Sequence, residues 1–211
     1  MSRFYVRAGL HAEGPAADRF LTPLLDRLLV ELLSSLYPAQ HYFSATLRIA
    51  DEARAELGRD RRIAAAIASH TTACTLFILH TDGSADCDAV HDVLDHGIAL
   101  AQTAWKTAAH RQPLAVATCV PVRALAAWLL VDPGVFARLG APDLVLPAEP
   151  DQLEDPARVL AALLARAGFH RAPPFDFFGE NVSLDALRKL ASFRVFEAEL
   201  IAALRLLARP A

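Results

Sequence analysis

The chain has 211 residues, of which 54% are hydrophobic and 21% are charged. This composition excludes a disordered chain and indicates a large core or an apolar partner surface. Such a surface is compatible with a homo-oligomer. The net charge of -3 provides no overall attraction for nucleic acid, so DNA binding would need a local basic patch. The best candidate patch comprises Arg54, Arg59, Arg61 and Arg62. Acidic residues are interspersed with these arginines, which favours an ordinary solvated face.

The cysteines and the apolar segments bear on localisation. Cys74, Cys87 and Cys119 are scattered and odd in number, which favours reduced thiols over a disulfide framework. Charged residues interrupt the N-terminal segment before it can form a signal-peptide core, and no apolar run is long enough to span a bilayer. We therefore expect a cytoplasmic protein without a membrane partner.

The N-terminal region predicts a strand followed by a helix. The strand covers Phe4 to His11 and runs into Glu13 and Gly14, and Pro15 suits the first turn of the helix. Leucines recur in doublets about one turn apart along this helix, which predicts a broad stripe facing a core. Glu13 therefore lies at a strand-to-helix junction.

The middle of the chain alternates between strand and helix patterns. Strands are predicted from Ser44 to Ile49, from Thr75 to Leu79 and from Leu114 to Val120, with helices ending near His70, running from Asp88 to Ala109 and containing Trp128. The apolar run before His80 is typical of a central strand covered on both faces. This alternation predicts a parallel sheet with right-handed crossovers.

The C-terminal region is rich in proline and then helical. Helices are predicted from Pro156 to Ala167, from Leu184 to Leu190 and from Phe193 to Leu207, with an aromatic loop through Phe175, Phe177 and Phe178. We predict one compact unit, in which residues 1–140 form an α/β core and residues 141–211 form a helical cap without strands.

Two predicted strands end on an acid followed by glycine, as Glu13-Gly14 and as His80-Thr81-Asp82-Gly83. Ligands bind at the carboxyl ends of parallel strands, and convergent carboxylates repel unless a cation holds them. Glu13 and Asp82 therefore predict a divalent-metal site, and Asp86 could extend it. The alternatives are that Glu13 favours the helix N-terminus, that Asp82 is a turn residue and that Asp86 caps the next helix.

Arg123 follows another strand end, where its guanidinium could bind a phosphate or could pair with Asp82 or Glu13. No phosphate-cradling glycine loop is present in the sequence, so ATP hydrolysis by this chain is not expected.

Several segments together carry a family resemblance. Leu10 to Pro15 before a leucine-rich helix, and Leu79 to Gly83 after a buried strand, resemble the TOPRIM domain of topoisomerases, primases and overcoming-lysogenization-defect nucleases. The segments Pro121 to Pro133 and Ala191 to Phe196 are similar to a bacterial TOPRIM-like family of unknown function, whose members are often encoded beside an ABC- or AAA-type ATPase.

The resemblance implies a TOPRIM-like, Rossmann-like parallel four-stranded sheet flanked by helices, with a C-terminal helical extension. It also implies a component of a bacterial ATPase-associated defence or DNA-processing system, acting as a nuclease dependent on Mg²⁺ or Mn²⁺. Carried over by motif, Glu13 would be the general acid/base or a metal ligand, and Asp82 would be a metal ligand. The implied partners are the neighbouring ATPase and DNA.

The chain departs from the TOPRIM pattern at two positions. His80 replaces the first aspartate of the Asp-x-Asp pair, and Ala126 stands where the family usually has a glutamate. A histidine nitrogen suits Zn²⁺ or Mn²⁺ better than Mg²⁺. A catalytically degenerate regulatory or scaffold subunit is therefore an alternative to the nuclease, and a nucleotide phosphoryl-transfer enzyme is a further alternative.

Overall fold

The computed structural model describes residues 4–38, 41–50, 57–83, 87–107, 113–169 and 174–208. The predicted site residue Asp86 and the candidate basic residue Arg54 lie outside these ranges.

Residues up to Cys119 alternate between strands and helices. The elements are β1 (Phe4–Val6), β2 (Ala8–His11), α1 (Pro15–Leu36), β3 (His41–Phe43), β4 (Leu47–Arg48), α2 (Arg59–Ser69), β5 (Leu76–His80), α3 (Cys87–Thr107) and β6 (Ala115–Cys119). Within the described ranges, the regular elements after Cys119 are all helices. They are α4 (Ala126–Leu129), α5 (Pro133–Arg138), a 3₁₀ turn (Pro150–Gln152), α6 (Pro156–Arg166), α7 (Phe175–Asn181), α8 (Leu184–Leu187) and α9 (Ala191–Leu207).

The main sheet has four parallel strands in the order β4-β2-β5-β6, and β1 and β3 form a separate two-stranded parallel sheet. The predicted α/β architecture, a parallel sheet flanked by helices, is confirmed, whereas the second sheet was not predicted. The first predicted strand divides at Arg7, whose N–H is donated to the Thr75 hydroxyl at 3.0 Å. This side-chain bond interrupts the ladder, so the chain changes partner strands there.

The second predicted strand is also interrupted. The Thr46 N–H donates to the Asp26 carboxylate at 2.7 Å, and strand β4 begins only at Leu47. The ladder therefore begins later than the predicted strand, because an aspartate on α1 takes the donor that a neighbouring strand would otherwise use.

Both faces of the sheet are covered by helices. Leu76 and Ile78 of β5 belong to the core that includes α1 and the C-terminal helices, whereas Phe77 and Leu79 belong to a smaller core with α2 and α3. Every residue of β5 is buried, as predicted for a central strand. Trp128 is also fully buried in the larger core, as its spacing on the helix predicts.

The predicted aromatic loop after Pro174 is wrong, because Phe175–Asn181 forms helix α7. This helix packs closely on α1. A Cβ at Gly179 would lie 2.2 Å from the Phe20 carbonyl oxygen, and Arg27 donates to the Gly179 carbonyl at 2.9 Å. Glycine at the contact and arginine at the helix end stabilise α7 through tertiary contacts that a local pattern does not reveal. None of the helices in the described ranges is long and apolar enough to cross a membrane.

Candidate functional site

The carboxyl ends of β2, β5 and β6 lie side by side. His11 is paired with Leu79, and His80 is paired with Cys119. Because the strands are parallel, the residues that follow them meet at the same edge of the sheet. The structure thus brings the predicted residues Glu13, His80 and Asp82 together at this edge of the sheet, in a site that we call the crevice.

Glu13 is held by donors from the next strand end and from α2. Its carboxylate accepts a hydrogen bond from the Thr81 hydroxyl at 2.7 Å and forms an ion pair with Arg59 at 2.8 Å. Partial burial raises the pKa of Glu13, but the hydrogen bonds from Arg59 and Thr81, the charge of Arg59 and the Asp82 N–H lower it to about 2. Glu13 is therefore ionised at neutral pH and is already neutralised by a cation from the protein.

The contact with Arg59 was missed by the sequence reasoning, which placed this residue in a basic patch or on a solvated face. Gly58 precedes α2, and Arg59 is its first residue. The start of α2 therefore directs one arginine of the candidate patch to a crevice acid. No signal in the sequence links Arg59 to Glu13, because the pairing depends on how α2 packs.

His80 ends β5 with a fully buried side chain. Its Nδ1 accepts the Glu13 N–H at 3.3 Å, so we assign the proton of the neutral ring to Nε2. Nε2 lies 3.5 Å from the Asp82 carboxylate, and no hydrogen-bond partner for it occurs within the described ranges. At this separation the contact is an electrostatic one rather than a formed hydrogen bond. The ring thus links the backbone of one acid to the carboxylate of the other.

Asp82 fastens the turn that follows β6. Its carboxylate accepts the Leu125 N–H at 2.7 Å, and the Gly83 N–H donates to the Pro121 carbonyl at 3.0 Å. A Cβ at Gly83 would lie 2.3 Å from that carbonyl oxygen, so only glycine allows this approach. One role of Asp82 is therefore to join the turn after β5 to the turn after β6.

Arg123 occupies a strained turn beside Asp82. Its φ is 63°, in the left-handed region, and the Ala124 N–H donates to the Val122 carbonyl at 2.8 Å. These features define a three-residue γ-turn, a conformation that a non-glycine residue adopts rarely. The Arg123 side chain is exposed. In the described part of the chain the electrostatic partners of Glu13 and Asp82 are Arg59 and His80 rather than Arg123, and the role of Arg123 as a phosphate ligand stays a prediction.

A further acid, Asp18, lies near the same crevice. It occupies the first turn of α1, and its buried Oδ1 has no hydrogen-bond partner in the described part of the chain. Burial raises the pKa of Asp18, while the nearby charge of Arg48 partly offsets this effect. In the sequence, Asp18 indicates the start of the helix, because the helix dipole favours an acid in the first turn. Its place one helical turn beyond Gly14 could have indicated proximity to the crevice.

The described donors fit a divalent metal ion poorly. Within the described ranges, no group of three or more His, Cys, Asp or Glu side chains is arranged to hold a metal ion. The two carboxylate oxygens of Glu13 already contact Arg59 and Thr81, and Nδ1 of His80 already accepts a hydrogen bond. A histidine with this tautomer would have to lose the Nε2 proton before it could bind a cation there. Asp86, the other predicted ligand, lies outside the described residues.

No protein-family model matches the sequence, and no significant match to the chain was found among curated proteins or among solved structures. The resemblance to TOPRIM-like proteins therefore stays a prediction, based on the motifs in the sequence.

Proposed function

We propose that the chain is a TOPRIM-like component of a bacterial ATPase-associated defence or DNA-processing system, in which it acts as a regulatory or scaffold subunit. The observation that carries the proposal is the ion pair of 2.8 Å between Glu13 and Arg59. A carboxylate that would bind a metal ion in an active TOPRIM site is neutralised here by an arginine of the same chain.

The replacement at His80 supports the same conclusion. The neutral ring of His80 stands where the TOPRIM pattern has the first aspartate of its pair. The crevice can therefore keep Glu13 and Asp82 close without an added cation. Mg²⁺ prefers hard oxygen ligands, and the nitrogen of His80 that faces Asp82 carries a proton in the assigned tautomer. The arrangement favours a crevice that keeps its shape through internal hydrogen bonds.

Isothermal titration calorimetry with MgCl₂ and with MnCl₂ tests the proposal. We expect no measurable heat of binding at millimolar metal with the natural chain. The double variant His80→Asp, Ala126→Glu restores the two missing acids, and Arg59→Gln frees Glu13 without adding an acid. Metal binding by the double variant alone would support a site that has lost its metal ligands. Tight metal binding by the natural chain would refute the proposal.

A second candidate is the metal-dependent nuclease, and one observation favours it. The side chains of Glu13 and Asp82 are 49% and 48% exposed, so both acids can be reached from solvent. An exposed ion pair contributes only about 0 to 1 kcal/mol, so a cation could displace Arg59. This function predicts that plasmid DNA is cleaved in Mg²⁺ or Mn²⁺, with or without the neighbouring ATPase. Glu13→Ala and Asp82→Ala should each abolish that cleavage, and cleavage that survives both changes would exclude it.

A further inference from the structure

The outer edge of β6 lies between α3 and α9. Strand β6 ends the sheet order, and within the described ranges β5 is its paired strand. The carbonyls of Cys119 and Pro121 accept hydrogen bonds from Thr81 and Gly83, so these residues face β5. Because main-chain groups alternate along a strand, Val116 and Thr118 present their N–H and C=O groups to the outer side.

Glu199 of α9 occupies the middle of this edge. Its carboxylate accepts both the N–H of Thr118 at 2.8 Å and the hydroxyl of Thr118 at 2.5 Å. A side chain thus takes the place that a main-chain carbonyl of a further strand would take. Carboxylates placed in this way are one means by which proteins protect an edge strand from unwanted pairing.

Two adjoining cavities continue along the edge on either side of Glu199. The cavity of about 240 Å³ is lined mainly by apolar groups that include Val120, Val195 and Phe196. The cavity of about 640 Å³ includes Val116 and Leu206. Both cavities contain Thr118 and Glu199, so together they form one groove, which we call the β6 groove.

The charge of the β6 groove indicates what it can accept. Its acidic residues are Asp95 of α3 and Glu199 of α9, and no lysine or arginine lines it within the described ranges. Val195 at its rim is 59% exposed, which adds apolar surface without charge. A second copy of β6 would bring a second Glu199 to the same edge, and the like charges would oppose that pairing. A cationic partner avoids this repulsion.

We infer that the β6 groove binds an extended segment of a partner protein that carries a lysine or arginine between apolar residues. The segment lies along the part of the edge that Glu199 does not occupy, where its main chain pairs with the outer groups of Val116, while its basic side chain contacts Glu199. Apolar side chains of the segment fill the two cavities. The inference rests on the proposed function in that the chain acts through a partner, but it does not depend on the state of the crevice.

A display library of random nonapeptides, selected against the full chain, tests the inference. We expect selected peptides to alternate apolar residues around a central lysine or arginine. A synthetic copy should shift the amide signals of Val116 and Thr118 in nitrogen-15 NMR spectra, and its Kd should rise at least tenfold when glutamate replaces the basic residue.

Matched variants separate the β6 groove from other surfaces. Ala202 lines the groove on the exposed side of α9, and Ala162 is an exposed position on α6 outside it. Ala202→Arg should abolish binding, whereas Ala162→Arg should not change it. Glu199→Gln should remove the preference for a basic residue.

Failure to enrich any peptide, or equal binding by the Ala202→Arg variant, would overturn the inference. A dimer of the natural chain that Ala202→Arg dissociates would also overturn it, because the groove would then bind a second copy. None of these results concerns metal binding, so calorimetry with Mg²⁺ tests the proposed function separately.

Discussion

Replacement of Arg59 by glutamine should raise the pKa of Glu13. The charge of Arg59 and its hydrogen bond are two of the influences that lower this pKa from its usual 4.5 to about 2. In the variant, burial still raises the pKa, while the Thr81 hydroxyl and the Asp82 N–H still lower it. We therefore expect the pKa of Glu13 to rise from about 2 towards its usual value of 4.5.

The same change has a smaller effect on stability. Each pH unit of this rise corresponds to about 1.4 kcal/mol of differential interaction between the two protonation states. The side chains of Arg59 and Glu13 are 30% and 49% exposed, so solvent screening reduces the contribution of the ion pair to about 1 kcal/mol or less. Because the pKa is lowered in the folded state, this stability is present above pH 4.5 and is lost as the pH falls towards 2.

Carbon-13 NMR of the side-chain carboxyl gives the pKa of Glu13 directly, and urea unfolding at pH 7 and pH 3 gives the stability. Arg61→Gln is the matched control, because Arg61 is an exposed residue of the same helix. The control should leave the pKa of Glu13 at about 2. A pKa that stays there in the Arg59→Gln variant would show that Arg59 does not neutralise Glu13, and the proposal of a self-neutralised crevice would lose its main support.

Three further substitutions test the contacts that build the crevice and the core, each by urea unfolding at pH 7. Asp82→Ala removes the acceptor of the Leu125 N–H and should cost about 1 to 2 kcal/mol, whereas Asp82→Asn keeps an oxygen acceptor and should cost less; equal losses would contradict this role. Gly83→Ala places a Cβ against backbone and should cost about 1 to 3 kcal/mol, and an unchanged midpoint would show that the two turns can separate freely. Ser192→Ala leaves the buried indole N–H of Trp128 unpaired and should cost about 1 to 3 kcal/mol, with Ser192→Thr as the variant that keeps a hydroxyl; no difference between the two would refute the hydrogen bond.

The location of the crevice could be predicted because it depends on a general property of parallel sheets. Glu13 and Asp82 follow apolar strands, and the carboxyl ends of neighbouring parallel strands meet. The neutralisation of Glu13 could not be predicted in the same way, since Arg59 reaches it only through the packing of α2. The neutralisation of Glu13 therefore depends on tertiary contacts, whereas the location of the crevice depends on the strand pattern.

The errors in the predicted elements have the same origin. The first strand changes partner sheets at Arg7 because the Thr75 hydroxyl takes its N–H. Helix α7 forms in an aromatic segment because Gly179 allows it to approach α1 and because Arg27 binds its end. In each case a contact with a residue far away in the sequence contributes to the local conformation, and a pattern of apolar residues contains no information about such a contact.

The segments that carry the family resemblance have a structural role. The indole N–H of Trp128 donates to the Ser192 hydroxyl at 2.9 Å, and that hydroxyl donates to the Asp151 carboxylate at 3.0 Å. Trp128 also packs edge-on against Phe193, with ring centroids 5.1 Å apart. The tryptophan segment and the serine-phenylalanine segment are thus two sides of one buried contact.

This structural role limits what the resemblance implies about the function of the chain. A buried hydrogen-bonded contact constrains the fold, because an unpaired indole or hydroxyl in the core is costly. It places no requirement on which residues stand at the acidic positions of the crevice. The chain has Trp128 and Ser192 in these motifs, and it has His80 and Ala126 at the two departures from the acidic pattern. These motifs therefore bear on the fold that the resemblance implies rather than on the reaction, and metal binding by the restored acids is the measurement that tests the reaction.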